Sequence, residues 1–261
     1  MTQRSGGGVP GARHALGLLQ ALARQPGPVP AASLARDLGL PRSSTYHLLG
    51  ELIAAGFVVH LPEERRYGLG VSAFEIGSAY SRQEPLARLA RPLLARLVDA
   101  VGHSAHLAVL HGREVLYVVE ERAPGRPPLV TDVGVRLPAH LTASGRAILA
   151  GLPSSQVRAL YSTSADFVDR TGLGPRTLSA LRTVLSDTRQ RGYATEHGEV
   201  TTGLASVAVA VLDHNQHPVA AVAVTYPHDS HTPRLRVAVE RTAGQLTHRL
   251  GGTPPHRSGA P

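Results

Sequence analysis

The chain has 261 residues, of which 42% are hydrophobic and 18% charged, enough for one large domain or two modest ones. It contains no run of about 18 apolar residues and no signal-peptide layout, so we expect a cytoplasmic protein with no membrane partner. The lack of Cys excludes disulfides, Cys-type zinc sites and thiol nucleophiles. The net charge of +8 favours a nucleic-acid partner, although most of the arginines lie after residue 84.

The N-terminal part predicts three short helices between a disordered tail over residues 1–11 and a tight hairpin. Apolar residues at helical spacing place the helices over 12–24, 30–37 and from Pro41 to Gly56, and Gly39 supplies the turn before the third. Residues 57–60 and 66–69 have the character of two strands joined by a turn. Together these elements predict a winged helix-turn-helix over residues 12–70.

The rest of the chain predicts a helical connector and then a second domain. Two helical patterns over 71–81 and 85–101, the second rich in leucine, suggest a connector that supports dimer contacts. Residues 102–250 alternate strand-like runs with helical patterns, which indicates an antiparallel sheet flanked by helices. We predict strands over 105–110, 115–119, 129–133, 205–212 and 219–225, and helices over 144–150, 154–161, 175–191 and 232–250. Residues 251–261 resemble a disordered tail. The predicted fold class is therefore α+β.

The third helix has a polar face suited to the major groove of DNA. On a helix that starts at Pro41, the side opposite Thr45, Leu49 and Leu52 is polar. Arginine reads guanine with a bidentate pair, and hydroxyls bind phosphates or base edges. Arg65 and Arg66 in the predicted wing could neutralise phosphates of the DNA backbone beside this helix. The alternative is a three-helix packing unit with an ordinary solvated face. The DNA-binding candidates are Arg42, Ser43, Ser44, Tyr46, His47, Arg65 and Arg66.

Several segments resemble the IclR-type transcriptional regulators. The N-terminal resemblance lies in residues 15–23, in Leu34-Ala-Arg-Asp-Leu-Gly-Leu-Pro-Arg-Ser-Ser-Thr-Tyr-His-Leu-Leu49, and in residues 56–58 and 67–70. The C-terminal resemblance lies in Leu137-Pro-Ala-His-Leu-Thr-Ala-Ser-Gly-Arg-Ala-Ile-Leu-Ala150 and in residues 191–194, 203–211 and 219–225. The resemblance implies a DNA-binding half and a GAF-like effector-binding domain. It also implies a homodimer or tetramer. His47 stands where the family usually has Arg, which weakens that contact.

A helix start in the second half predicts an anion site. Thr142 is placed to cap a helix that begins near Ala143, which leaves the backbone N–H groups of Ala143, Ser144 and Gly145 for an anion such as a carboxylate. The alternative is that Thr142 only caps a packed helix and that Gly145 serves tight packing. The resemblance favours the anion site, because this stretch matches the part of the family's domain that holds small organic acids.

The resemblance also implies further effector-binding residues. Alignment with the family places Ser206 and Glu196 at polar positions of the pocket, and the last strand supplies Ala223 and Thr225. Because some relatives have Ser at residue 223, Ala223 suggests a less polar or bulkier ligand. A solvated carboxylate in the loop 195–199 is the equally weighted alternative for Glu196.

Enzyme functions find little support in the sequence. The histidines of His103-Ser-Ala-His106, Asp213-His-Asn-Gln-His217 and His228-Asp-Ser-His231 lack metalloprotease spacing. No nucleophile elbow or phosphate-binding loop is present, and we expect no cofactor. The sequence therefore predicts a DNA-binding regulator, more often a repressor in this family, that binds a double-stranded operator and is controlled by a small organic acid. The alternative is a ligand sensor whose winged helix binds protein.

Overall fold

The structure is a computed structural model that describes residues 9–83, 85–125, 129–230 and 233–253. It divides into two compact units, Met1–Glu84 and Pro85–Pro261. Residues 1–8 and 254–261, where we expected most of both tails, lie outside the described residues. The first helix begins at Pro10, inside the first expected tail, because proline is well suited to the first turn of a helix.

The first unit is a winged helix-turn-helix, as the sequence predicts. A turn at Gly39, whose φ of 62° suits glycine, separates its second and third helices. Leu18 and Leu34 are fully buried and pack with Leu49, which fixes the three helices around one small core. The hairpin strands pair in antiparallel register. The elements are α1 (Pro10–Ala23), α2 (Ala31–Asp37), α3 (Arg42–Ala54), β1 (Val58–Leu61), β2 (Arg66–Leu69) and α4 (Val71–Gln83).

The second unit is a six-stranded sheet in the order β5-β4-β3-β8-β7-β6, in which all neighbouring strands are antiparallel. Single-turn 3-10 helices lie at Ser164–Asp166 and His228–Ser230. The elements are α5 (Pro85–Val101), β3 (Ala105–His111), β4 (Glu114–Glu121), β5 (Arg136–Pro138), α6 (Ala143–Gly151), α7 (Ser154–Leu160), α8 (Leu178–Arg191), β6 (Ala194–His197), β7 (Leu204–Leu212), β8 (Pro218–Pro227) and α9 (Pro233–Arg249).

The two faces of the sheet differ in side-chain size. On one face, branched side chains such as Val207 and Val222 form a core with α5 and α9. On the other face, Ala208 and Ala223 pack against α6. Since successive residues of a strand point to opposite faces, the valines at residues 207, 209, 222 and 224 lie on the side of α5 and α9, and the α6 side carries mostly alanines. Their small volume brings α6 close to the sheet and leaves a cavity beside it.

Three sequence expectations about the second half were wrong. Residues 129–133 form no strand, although their apolar run resembled one. Two short strands, β5 and β6, were missed because each has only three or four residues. Helix α5 is no connector, because it packs against β3, β4 and α9 and belongs to the core of the second unit. That unit therefore begins at Pro85 and not at residue 102.

Candidate functional site

The third helix of the first unit buries one face and exposes the other. Thr45, Leu49 and Leu52 are buried, and the Thr45 hydroxyl donates to the carbonyl oxygen of Pro41 at 3.1 Å, which anchors the first turn. The five candidates on this helix all have exposed side chains, with Tyr46 55% exposed. Buried and exposed residues alternate as the helical period requires. The exposed residues are Arg42, Ser43, Ser44, Tyr46 and His47.

The wing tip carries two arginines in different settings. Arg65 has a φ of 53°, which is unusual for a residue other than glycine. Arg66 is already engaged, because its Nη1 donates to the carbonyl oxygen of Pro28 at 3.0 Å. Glu63 and Glu64 precede them in the same turn, so the tip has no net formal charge. Because the tip has no net charge, it would attract DNA phosphates only weakly at long range. A phosphate contact here would depend on hydrogen bonds that Arg65 donates directly.

The second unit contains a cavity between the small-residue face of its sheet and the N-terminus of α6. Its empty volume, counted together with the open solvent at its mouth, is about 400 Å³. Seven of the eight predicted effector-binding residues line it, and Gly145 does not. The lining residues among the candidates are Thr142, Ala143, Ser144, Glu196, Ser206, Ala223 and Thr225.

The N-terminus of α6 is buried and partly unpaired. Thr142 caps the helix, and its hydroxyl accepts a hydrogen bond from the backbone N–H of Gly145 at 3.0 Å. The first N–H groups of a helix have no partner within the helix. Ala143 and Ser144 are each only 1% exposed. Their backbone N–H groups therefore point to a region where bulk water cannot easily satisfy them.

The structure leaves Gly145 without the free N–H group on which its predicted ligand contact depends. Its N–H is taken by Thr142, and a Cβ built on Gly145 would overlap the backbone of Ala139. Gly145 therefore allows α6 to pack against the segment between β5 and α6, which is the alternative that the sequence left open. Of the three amides that the sequence predicts for an anion, those of Ala143 and Ser144 are left.

Three polar side chains form a row across the sheet at the floor of the cavity. Glu196, Ser206 and Thr225 are paired neighbours on β6, β7 and β8. The Ser206 hydroxyl donates to Oε1 of Glu196 at 2.8 Å and lies 3.0 Å from the Thr225 hydroxyl oxygen. Glu196 is 3% exposed, so the alternative of a solvated carboxylate in a loop was wrong.

Burial makes the carboxyl of Glu196 a weak acid. Loss of hydration raises the pKa of Glu196 to about 7. The hydrogen bond from Ser206 lowers this pKa, and the nearby negative charge of Glu199 raises it further. The negative charge of Glu199 is stabilised by Arg146, whose Nη1 lies 3.0 Å from Oε1 of Glu199. Although burial opposes ionisation, Arg146 lowers the pKa of Glu199. Glu199 is therefore the carboxylate that stays charged, and Glu196 is the one that holds a proton near neutral pH.

Arg146 also fixes the position of the helix start. It is 4% exposed, and its Nε donates to the carbonyl oxygen of His140 at 2.9 Å. Its Nη1 donates to the carbonyl oxygen of Thr195 at 2.8 Å. One buried guanidinium therefore joins the segment before α6 to β6. No sequence signal singles out this arginine, because the chain contains 27 arginines and no lysine.

The opposite side of the cavity holds polar residues that sequence reasoning did not place in the site. His106 on β3 and Tyr117 on β4 line it, together with Thr131. His106 was considered only as a metal ligand. Among the described residues, however, no three His, Asp or Glu side chains come together as a metal site. The signal was strand periodicity, because His106 is the polar exception between Ala105 and Leu107 and must face away from their apolar core.

In the part of the chain that the structure describes, no helix is long and apolar enough to cross a membrane. The two units combine a winged helix with an exposed polar helix face and a domain with a buried polar cavity. These features define a DNA-binding regulator with a ligand-binding domain.

Comparison with known proteins identifies the family. The IclR helix-turn-helix domain matches residues 11–62, and the C-terminal domain of the bacterial transcriptional regulator IclR matches residues 78–247. The chain belongs to the IclR family. It is a DNA-binding transcriptional regulator, and the family is one of regulators and not of enzymes. DNA is therefore the partner of the winged helix, and the protein-binding alternative finds no support.

Individual relatives cover nearly the whole chain. The acetate operon repressor of Salmonella typhimurium is 29% identical over 91% of this chain and 89% of its own length. A solved IclR-type regulator from Silicibacter sp. TM1040 is 26% identical, has a TM-score of 0.81 and covers 94% of this chain and 98% of its own. An IclR homologue from Microbacterium hydrocarbonoxydans, solved with 4-hydroxybenzoate, is 21% identical, has a TM-score of 0.77 and covers 92% of this chain and 98% of its own.

Proposed function

We propose that this regulator is a cytoplasmic, homo-oligomeric repressor whose affinity for its operator is changed by a small organic acid bound in the cavity of the second unit. The observation that carries the proposal is the buried start of α6, where the amides of Ala143 and Ser144 meet a cavity with a polar floor. The repressor role is supported by the acetate operon repressor. The organic acid is supported by the 4-hydroxybenzoate bound to the Microbacterium homologue.

The cavity suits a carboxylate better than a neutral ligand. A helix N-terminus offers oriented donors and partial positive charge to an anion, and a buried helix end without partners is costly. Glu196 would repel an anion if it were ionised, but burial raises its pKa to about 7. The neutral form of Glu196 therefore accommodates an acid, and the hydroxyls of Ser206 and Thr225 provide hydrogen bonds for the rest of the ligand.

On the DNA side, the exposed face of α3 would enter the major groove. Arg42 lies at the first residue of this helix, and the N-terminal residues of a recognition helix contact base edges in helix-turn-helix proteins. We assign base contacts to Arg42, Ser43 and His47. Ser44, Tyr46 and the wing residues Arg65 and Arg66 would contact the phosphate backbone. The exposed apolar side chains of Val71, Phe74 and Ile76 on α4 support a contact between two copies.

The experiment has two parts, and both use the full chain. DNase protection of the DNA beside its own gene would define the operator, and calorimetry would measure binding of a panel of aliphatic and aromatic acids. Ser206→Ala should weaken an acid that binds wild type by about fivefold, since a net hydrogen bond contributes about 1 kcal/mol. The matched control is Ser179→Ala, an exposed serine on α8. Absence of binding by every acid, or equal weakening by both variants, contradicts the effector site.

A further inference from the structure

His106, a residue of the cavity wall, has an unused hydrogen-bonding atom. It is fully buried on β3 and lies in the cavity wall. Within the described residues, its Nδ1 has no hydrogen-bond partner. An unpaired buried polar atom is unfavourable, so a site that retains one is suited to a ligand that supplies the missing bond.

The other side of the imidazole is held in place. Nε2 of His106 lies 2.7 Å from the Thr131 hydroxyl oxygen and 3.8 Å from Oε1 of Glu120. The edge of its ring packs against the ring of Tyr117, with centroids 5.6 Å apart. Although burial opposes ionisation, His106 and Arg122 lower the pKa of Glu120. These contacts fix the ring, so Nδ1 has a defined position and is not free to turn toward another partner.

His106 is separated from the polar floor by a residue with a small side chain. His106 on β3 is paired directly with Ala223 on β8, and Thr225 is the next residue of β8 on the same face. Diagonal neighbours of this kind have Cβ atoms about 7–8 Å apart. Ala223, the β8 residue opposite His106, contributes only a methyl group at this point of the sheet. A ligand can therefore lie over Ala223 with polar groups at both ends.

We propose that Nδ1 of His106 binds a hydroxyl group of the effector, so that the effector is a hydroxycarboxylic acid and His106 determines this specificity. The inference rests on the proposed function, which places the carboxylate at the amides of Ala143 and Ser144. A hydroxyl both donates and accepts, and it therefore pairs with Nδ1 in either protonation state of the ring.

Other polar groups fit this position less well. A second carboxylate near His106 would approach the carboxylate of Glu120, which lies 3.8 Å from Nε2 of that ring, and like charges in a buried site disfavour each other. An ammonium group has three donors, and Nδ1 would accept only one of them. The remaining N–H groups would be buried without partners, which is costly. A hydroxyl needs only the one bond that His106 offers.

The test compares matched acids on the full-length protein. Calorimetry would measure binding of propanoate against 3-hydroxypropanoate, butanoate against 4-hydroxybutanoate, and benzoate against 4-hydroxybenzoate. In at least one pair, the hydroxylated acid should bind wild type more tightly, by several-fold up to about tenfold. This is the change in affinity expected from one hydrogen bond. Equal binding within every pair would overturn the proposal while leaving the proposed function intact. If no acid binds at all, the proposed function itself fails.

Two substitutions of His106 separate its nitrogen atoms. His106→Asn keeps a hydrogen-bonding atom on Cγ, where Nδ1 is attached, and should retain most of the preference for the hydroxylated acid. His106→Gln places its amide near the position of Nε2 and should lose that preference. Binding of the unhydroxylated acid reports whether the cavity is intact in each variant. If neither variant folds, the matched pairs of acids on wild type still test whether the effector carries a hydroxyl group. Loss of the preference in His106→Asn and its retention in His106→Gln would contradict the role of Nδ1.

Discussion

Gly145 on α6 lies so close to Ala139 that a Cβ atom at residue 145 would overlap the carbonyl oxygen of Ala139. This contact sets the height of the helix start above the sheet. Because the overlap is with backbone, no side-chain rotation can relieve it. The depth of the cavity under Ala143 and Ser144 therefore depends on the absence of one methyl group.

Gly145→Ala should destabilise the second unit by about 1–3 kcal/mol, the usual result of overpacking. The matched control is Gly50→Ala on α3, where a Cβ would meet nothing within 4 Å and where alanine should stabilise the helix by about 0.5–1 kcal/mol. Denaturant unfolding, followed for the unit that carries each substitution, measures both effects. Equal and small effects of the two substitutions would show that α6 can shift away from Ala139.

The assignment of base and phosphate contacts predicts different results for Arg42 and Arg65. Arg42→Ala should weaken binding to the operator by about 1–3 kcal/mol and relax preference at one base pair, because a bidentate contact to guanine is lost. Arg65→Asn removes a charge while keeping a residue that tolerates positive φ. It should weaken all duplexes alike and reduce the salt slope by about 1. Gel shifts on matched and mismatched sites measure both variants. An unchanged ratio of the two sites in Arg42→Ala would contradict base contact.

The buried carboxyl of Glu196 predicts how stability depends on pH. Its pKa is raised from 4.5 to about 7 in the folded protein, so the folded state holds a proton that the unfolded chain releases. The free energy of unfolding should therefore fall as the pH rises from about 4.5 to about 7. Glu199, whose pKa is lowered, acts in the opposite direction, but below pH 4.5.

Glu196→Gln isolates this effect, because the amide is neutral at every pH. Wild type should lose stability relative to the variant between about pH 5 and about pH 7.5, with denaturant unfolding as the measurement. Arg146, Tyr117 and Tyr226, which lie near Glu196, are unchanged by the substitution. Parallel pH profiles for the two proteins would mean that Glu196 is ionised throughout this range.

The exposed side chain of Phe74 predicts the assembly state. It is 74% exposed on α4, so Phe74→Asp should not disturb the fold of the first unit. If α4 joins two copies, the charge should convert a dimer to monomers at micromolar concentration, and operator protection should shrink toward one half-site. Sedimentation measures the mass, with Glu75→Ala at the neighbouring exposed residue as the control. An unchanged mass would place the contact elsewhere.

The winged helix was predictable because its signals are local. Leucines at helical spacing, Gly39 and Pro41 together determine three helices, and the exposed face of α3 follows from the same periodicity. The start of α6 was also predictable, because Thr142 is a strong N-cap. Each of these features depends on residues within a few positions of one another.

The cavity depends on contacts that are distant in sequence, and there the sequence was less informative. The burial of Glu196 results from its pairing with Ser206, and the role of Gly145 results from the approach of Ala139. Strand periodicity indicates which face of the sheet His106 occupies, but this residue enters the site because β3 lies beside β8, a pairing that periodicity does not indicate. Residues 129–133 resembled a strand because of their apolar run, but they form a loop in which Leu129 and Val130 line the cavity, and a short apolar run does not distinguish such a loop from a strand.

The most direct test of the account is titration of the operator with the full-length protein, in the presence and absence of the acid that binds best, for wild type and Ala143→Pro. Proline is tolerated at the first helical position, and Thr142 has an extended backbone with ψ of 144°, as a residue before proline requires. The variant therefore removes one amide donor at the start of α6. We expect the acid to change operator affinity by about fivefold or more in wild type and much less in Ala143→Pro, while both bind the operator alike without acid. An acid that shifts both curves equally, or shifts neither, would contradict control through this cavity.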